Sequence, residues 1–173
     1  PVVTPLAVDS GHPFPFLTNH TINAIVRIFQ ILPDGTKDYK IAILPIPSVL
    51  DRIIEIPSRS NKEHRFVYLE DVITYYANQF FQGYGIEDYM VFRITRDADL
   101  EIDEEEATDL LSEVEESLRR RRRGDAVRLE VCGDVKDHLL DFVLTSVELE
   151  QKDVYRIDGH LDCRMYFDFC NYP

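Results

Sequence analysis

The chain has 173 residues, 45% hydrophobic and 29% charged, enough for one domain with its own core and too short to require two. Its formal net charge of −13 argues against a general polyanion-binding surface, nucleic acid included, because such affinity comes largely from cations facing phosphates, and any phosphate site has to be a local basic patch. No apolar run approaches the roughly 18–20 residues needed to cross a bilayer, and three cysteines (Cys132, Cys163, Cys170) without CxxC spacing indicate neither a disulfide framework nor a zinc site, so a reducing, cytoplasmic setting fits.

Residues 1–20 carry prolines and aromatics in the run Gly11-His12-Pro13-Phe14-Pro15-Phe16-Leu17, which sustains neither a helix nor a central strand. They are expected to form an extended lead-in. Ile22 to Ile31 alternates around Ile22, Ala24, Val26 and Ile28. Pro33-Asp34-Gly35-Thr36 supplies turn chemistry and Tyr39 to Leu44 returns, which predicts a hairpin. Pro45, Pro47 and Pro57 bracket a piece around Val49 to Ile56 whose type the sequence leaves open, and Ser58 to His64 reads as an exposed loop.

Leu69 to Phe81 places Val72, Ile73, Tyr76, Ala77 and Phe80 at helical spacing, with Gly83 as the stop. Tyr89 to Thr95 alternates Met90, Phe92 and Ile94 against Arg93 and Thr95, a strand. Asp103 to Arg122 is the strongest predicted helix, with Asp103 and Glu106 at its start, an apolar stripe of Ala107, Leu110, Leu111, Val114 and Leu118, and arginines in its last turn. Val127, Leu129 and Val131 alternate with Arg128 and Glu130, a further strand. A helix opening at Asp134 carries Val135, Leu139, Phe142 and Val143, and a short strand spans Val154 to Ile157. Interspersed strands and helices with a hairpin predict a single α+β domain, its mixed or largely antiparallel sheet covered by helices.

Two basic groupings have competing readings. Arg119, Arg120, Arg121, Arg122 and Arg123 form either a solvated helix end, with Glu115–Arg119 and Glu116–Arg120 spaced i,i+4, or a patch for phosphate or a partner. Arg93 and Arg128 stand on the polar faces of two predicted strands, with Arg96 at a strand end. They either clamp an anion with guanidinium forks or pair with Asp97, Asp99, Glu101 and Glu130. Asp97, Asp99, Glu101 and Asp103 lack the glycine and terminal glutamate of a calcium loop and read as an acidic helix start. His12, His20, His64, His138 and His160 are dispersed, with no HExxH, nucleophile elbow, GxxxxGK[ST] or GxGxxG among them. No catalytic residue and no metal ligand is therefore assigned within these residues.

Several blocks carry a resemblance. Thr4-Pro5-Leu6-Ala7-Val8-Asp9 followed by His12-Pro13-Phe14-Pro15-Phe16-Leu17-Thr18-Asn19 resembles the opening of the middle (head) domain of bacterial polyphosphate kinases. Phe92-Arg93-Ile94-Thr95-Arg96-Asp97-Ala98-Asp99-Leu100-Glu101 is similar to that family's strand-to-helix motif. So is the stretch from Leu118-Arg119-Arg120-Arg121-Arg122 to Ala126-Val127-Arg128-Leu129-Glu130, and Asp153-Val154-Tyr155-Arg156-Ile157-Asp158-Gly159 with Leu161-Asp162 is similar to its exit.

The resemblance implies a piece, residues 1–173, of a longer enzyme that reversibly moves the terminal phosphate of ATP onto polyphosphate through a phosphohistidine. The enzyme's ATP, its Mg2+, the phosphorylated histidine and the metal-linked arginines then belong to other domains of the same polypeptide, an N-terminal helical one and C-terminal catalytic ones. This piece is expected to need no cofactor, to be inactive alone, to support dimer contacts and to frame an active-site tunnel. The parent is expected to be a cytoplasmic homo-oligomer, with membrane association through the parent left open. Arg93, Arg96, Arg128 and Arg119 to Arg123 are the candidate phosphate or inter-subunit contacts. The alternative is an independent protein-binding or dimerisation module of the same ancestry, motivated by the apolar residues of the 11–17 segment and the aromatic C-terminal end.

Overall fold

A computed structural model of the protein describes residues 3–57, 63–97 and 124–171. Its centre is the predicted hairpin: β2 (Ile22–Ile31) pairs antiparallel with β3 (Lys37–Pro45) from Asn23↔Pro45 to Ile31↔Lys37. The turn between them is tied by Asp34, whose carboxylate accepts bonds from the Thr36 amide at 2.9 Å and the Thr36 hydroxyl at 2.6 Å. β2 also pairs antiparallel with β6 (Gly85–Arg96), and β6 with β7 (Ala126–Cys132). β7 and β8 (Val154–Ile157) run parallel, joined by the crossover helix α2 (Asp137–Val147). β1 (Leu6–Val8) closes the opposite edge, giving the order β1-β3-β2-β6-β7-β8. A separate two-stranded ladder joins β4 (Ile53–Ile56) to β5 (Arg65–Tyr68), which runs directly into α1 (Leu69–Tyr75). The class is α+β with a mostly antiparallel sheet, as the sequence predicts.

Because side chains alternate across a strand, the sheet has two apolar faces, and each is covered. Ala24, Val26, Ala42, Leu44 and Val91 pack with Leu69, Ile73 and Ala77 of the α1 region and with Leu161. Ile25, Ile43, Met90, Phe92, Ile94, Leu129 and Val131 pack with Leu139, Leu140, Val143 and Leu144 of α2. Burying a Val, Leu, Ile, Phe or Met side chain contributes about 1.5–3 kcal/mol. These two seams therefore hold the helices to the sheet. Opposite Phe29, Gly85 leaves room for the ring: a Cβ there would lie 2.4 Å from Phe29 Cζ.

Several boundaries differ from the sequence reading. The predicted Leu69–Phe81 helix ends as α-helix at Tyr75 and continues as a 3-10 turn over Ala77–Gln79. Of the predicted stripe, Ile73 and Ala77 are buried and Val72 and Phe80 half-buried, but Tyr76 faces solvent and Phe81 is buried in its place, because the 3-10 turn shifts the face. Gly83, at φ 83°, ends the segment as expected. α2 starts at Asp137 rather than Asp134, and β6 starts at Gly85, four residues before the predicted strand. Within the lead-in, Leu6–Val8 pairs with β3 as an edge strand, a position compatible with flanking prolines. The open piece before Pro57 contains β4. The predicted Asp103–Arg122 helix, residues 58–62 of the predicted loop, and Asp99, Glu101 and Asp103 of the acidic segment lie outside the described residues.

Candidate functional site

β6 and β7 set Arg93 opposite Glu130 and Thr95 opposite Arg128. Their neighbours Phe92, Ile94, Leu129 and Val131 fill the α2 side, so Arg93, Arg128 and Glu130 project from the α1 side. There Arg93 Nε donates to Glu130 Oε2 at 2.5 Å and Arg128 Nη2 to Glu130 Oε1 at 3.0 Å. One carboxylate, only 6% exposed as a residue, thus holds two guanidiniums. Arg128 also lies 3.9 Å over the ring of Tyr155 on β8, and its Nε is buried with no hydrogen-bond partner among the described residues.

After β8, Asp158 and Gly159 (φ 132°) turn the chain back across this face. Leu161 enters the core, and Asp162, in the left-handed region at φ 57°, stands over the arginines. Its carboxylate accepts bonds from Arg164 Nε at 2.7 Å and Nη2 at 2.5 Å, and lies 3.4 Å from Arg93 Nη1. The Arg164 hydrogen bonds, aided by the charges of Arg164 and Arg93 and opposed by burial, bring the Asp162 carboxyl down to about 2. The Asp162 backbone carbonyl accepts from Arg52 Nη1 at 2.9 Å, while Arg52 Nε bridges both oxygens of the buried Glu70 at 3.1 and 3.0 Å and Nη2 also donates to Glu70. His160 stacks on Tyr68 with ring centroids 3.5 Å apart and sets Nε2 3.1 Å from Asp71 Oδ2. Tyr68 and Tyr166 share a hydroxyl hydrogen bond of 2.8 Å, which together with burial pushes the Tyr68 phenol up to about 12.

The structure brings together Arg93 and Arg128 of the candidate arginines. Arg96 stands elsewhere: its Nε donates to the Leu17 carbonyl at 2.9 Å and Nη1 to the Gly124 carbonyl at 3.0 Å, with the guanidinium 4.4 Å over Phe16. Asn19 grips the Arg96 backbone, accepting from its amide at 2.9 Å and donating to its carbonyl at 3.4 Å. Arg96 thereby fastens the lead-in to the end of β6. Arg119, Arg120, Arg121, Arg122 and Arg123 lie outside the described residues. Sequence reasoning did not single out Arg52, Asp162 or Arg164 for the ion network. Only the Arg164–Asp162 pair is near in sequence; Arg52 and Asp162 are joined across a separation of 110 residues.

A second cleft, of about 800 Å³, lies beside α1 and the β7–α2 turn and is lined by Asp71, Glu87, Asp88, Asp134 and Asp158 with Lys136 and Arg156. Near it, Glu87, Asp88 and His138 bring one ligand atom each within 4.8 Å of one another. Glu87 pairs with Arg27 at 3.2 Å and accepts from the Tyr39 hydroxyl at 2.9 Å, while Lys136 lies 2.5 Å from Asp134 and 4.0 Å from Asp88.

Fold and ion network together define an α+β domain whose C-terminal turn is stapled to the sheet by its own charged groups. A family profile described as the polyphosphate kinase middle domain matches residues 1–169. Among curated relatives, polyphosphate kinase of Halalkalibacterium halodurans is 42% identical over 172 residues, covering 99% of this chain and 24% of the relative. That of Pseudomonas syringae pv. tomato is 37% identical over 168 residues, covering 96% and 23%. The crystal structure of polyphosphate kinase from Porphyromonas gingivalis superposes with a TM-score of 0.66 at 21% identity, over 92% of this chain and 21% of that one, which shows a shared fold. The chain belongs to the polyphosphate kinase family and corresponds to its middle domain. It spans about a quarter of the length of the curated relatives it matches.

Proposed function

We propose that this chain is the supporting middle domain of an enzyme that reversibly transfers the terminal phosphate of ATP to polyphosphate. The phosphohistidine that carries the phosphoryl group, and the ATP and Mg2+ sites, belong to parts of the parent outside these residues. The carrying observation is the match to the middle-domain family over residues 1–169. The internal ion network supports the reading physically. Arg93, Arg128 and Arg164 neutralise Glu130 and Asp162, and Arg52 neutralises Glu70, so charge is used to fix the C-terminal turn on the sheet. A net charge of −13 likewise suits a frame around a polyanion's path better than the path itself.

In this reading the described surface contributes dimer and interdomain contacts through its solvent-exposed aromatic residues. Phe16 is 44% exposed, Tyr166 43% and Phe167 73%. Arg93, Arg96, Arg128 and Arg119 to Arg123 are the proposed rim or inter-subunit cations. The test uses labelled ATP with magnesium. The 173-residue chain alone is expected to make no polyphosphate and to take up no covalent phosphate, while the full-length parent does both. Covalent labelling of the isolated chain overturns the proposal, as does full polyphosphate synthesis by a parent from which residues 1–169 have been removed.

A further inference from the structure

β2 and β6 do not stay in step along their length. Arg27 pairs with Asp88 and Ile28 with Ile86, so Glu87 is an extra residue in β6, a β-bulge. A bulge turns two consecutive side chains toward one face of the sheet, where regular alternation would separate them. Asp88 faces Lys136 and His138 at the start of α2, while Glu87 reaches Arg27 and Tyr39. Arg27 and Tyr39 lie on the strand faces that carry Ile25 and Ile41 to the α2 side. We propose that Glu87, Asp88 and His138 form a site for a divalent transition-metal ion of the zinc class, which ties the bulge of β6 to the first turn of α2.

The distances suit such an ion. One ligand atom from each of the three side chains lies within 4.8 Å of the others. The gap between Asp88 Oδ2 and His138 Nε2 is 3.6 Å, too long for a hydrogen bond. It is close to the ~3.4 Å that separates ligand atoms around a tetrahedral zinc with bonds of about 2.0–2.1 Å. Among the described residues the Asp88 carboxylate has no hydrogen bond: its other oxygen faces the Lys136 ammonium at 4.0 Å, and that ammonium sits 2.5 Å from Asp134. Glu87 is held from behind. Its Oε1 accepts from the Tyr39 hydroxyl at 2.9 Å, and its Oε2 lies 3.2 Å from Arg27 Nη1, buried and without a hydrogen bond among the described residues. Carboxylates that ligate metals are oriented by outer partners of this kind.

Charge and ligand type set the class of ion. Glu87 and Asp88 stand in the wall of the 800 Å³ cleft. With Glu70 set against Arg52 and Glu87 against Arg27, four carboxylates remain there (Asp71, Asp88, Asp134 and Asp158) against two cations, Lys136 and Arg156. The dipole of α2 opposes a cation at its first turn, a small effect beside two ligating carboxylates. An imidazole among the ligands favours zinc or a similar ion over Mg2+ and Ca2+, which take oxygen ligands. Three protein ligands leave a fourth position for water, the pattern of an exchangeable site.

The site does not depend on the function proposed above. Calorimetric titration of the 173-residue chain with Zn2+ is expected to show saturable binding, and Zn2+ to raise the unfolding temperature because the ion binds the folded form. His138→Gln is expected to weaken binding by about tenfold or more. Lys136→Gln, which removes the competing ammonium, is expected to tighten it about two- to fivefold. His64→Gln, at the exposed pair with Glu55, is expected to leave it unchanged. Absence of saturable binding, undiminished affinity in His138→Gln, or Mg2+ bound as tightly as Zn2+ overturns the site. Titration with Co2+ separates it from the thiols: a thiolate-to-cobalt charge-transfer band would assign the ion to Cys132, Cys163 or Cys170 and likewise overturn it. If His138→Gln alters the circular dichroism spectrum, Asp88→Asn decides in the same way.

Discussion

Asp162 holds Arg164 through two hydrogen bonds and faces Arg93, and its carboxyl ionises at about 2 instead of the ordinary 3.8. A carboxyl depressed in the folded state contributes stability that is fully present above its unfolded value. That contribution is lost as pH falls, here through the window from about 4 to about 2. Asp162→Asn keeps the shape but cannot carry the charge. It is expected to lower stability at neutral pH and to flatten the loss between about pH 4 and pH 2 relative to the parent chain. Urea unfolding at a series of pH values measures this, and parallel pH profiles for the two proteins would show that Asp162 does not carry the effect.

Among the elements, α2 forms one wall of the core and ends on an unfavourable residue. Glu148 closes it at φ 59° and ψ 38°, its amide and that of Leu149 both donating to the Leu144 carbonyl. This geometry is the left-handed helix cap that glycine adopts without steric cost, and a carboxylate also opposes the negative end of the helix dipole. Glu148→Gly is expected to stabilise the protein by about 0.5–1 kcal/mol, part of the gain being offset by the greater freedom of glycine in the unfolded chain. Thermal or urea unfolding tests it, and a loss of stability would show that the Glu148 side chain has a role the cap geometry does not reveal. α1 shows how far periodicity reads an element. Helical spacing placed Ile73 and Ala77 in the core correctly but also put Tyr76 there, which is exposed, and missed Phe81, because the chain tightens into a 3-10 turn after Tyr75 and the helical period no longer applies.

Across the whole molecule, the Arg52–Glu70 pair joins three parts of the chain: the segment before β4, the start of α1 and the turn after β8. Glu70 is 1% exposed, so its charge depends on Arg52 for compensation. Removing one partner of such a pair leaves an uncompensated buried charge and typically costs about 3–5 kcal/mol. Arg52→Met is accordingly expected to destabilise the chain by about that amount, with hydrogen exchange rising first around α1 and residues 160–166. Arg52→Met combined with Glu70→Leu is expected to recover most of the loss. If the double variant is as unstable as the single one, the pair is not the element that holds these parts together.

By itself the sequence determined the long central strands, the hairpin turn and most apolar faces, because these follow from alternation, turn chemistry and spacing within a few residues, while the short strands β1, β4 and β5 were not legible in it. It also put Arg93 and Arg128 on polar strand faces, and its motif blocks pointed to the family. Tertiary structure decided which charges meet. Glu130 acquires two arginines only once β6 and β7 are in register, and Asp162 reaches Arg93 and Arg52 only because the Gly159 turn folds back over the sheet. Ion pairing depends on distances of a few ångströms between residues far apart in the chain, and no local pattern encodes those distances.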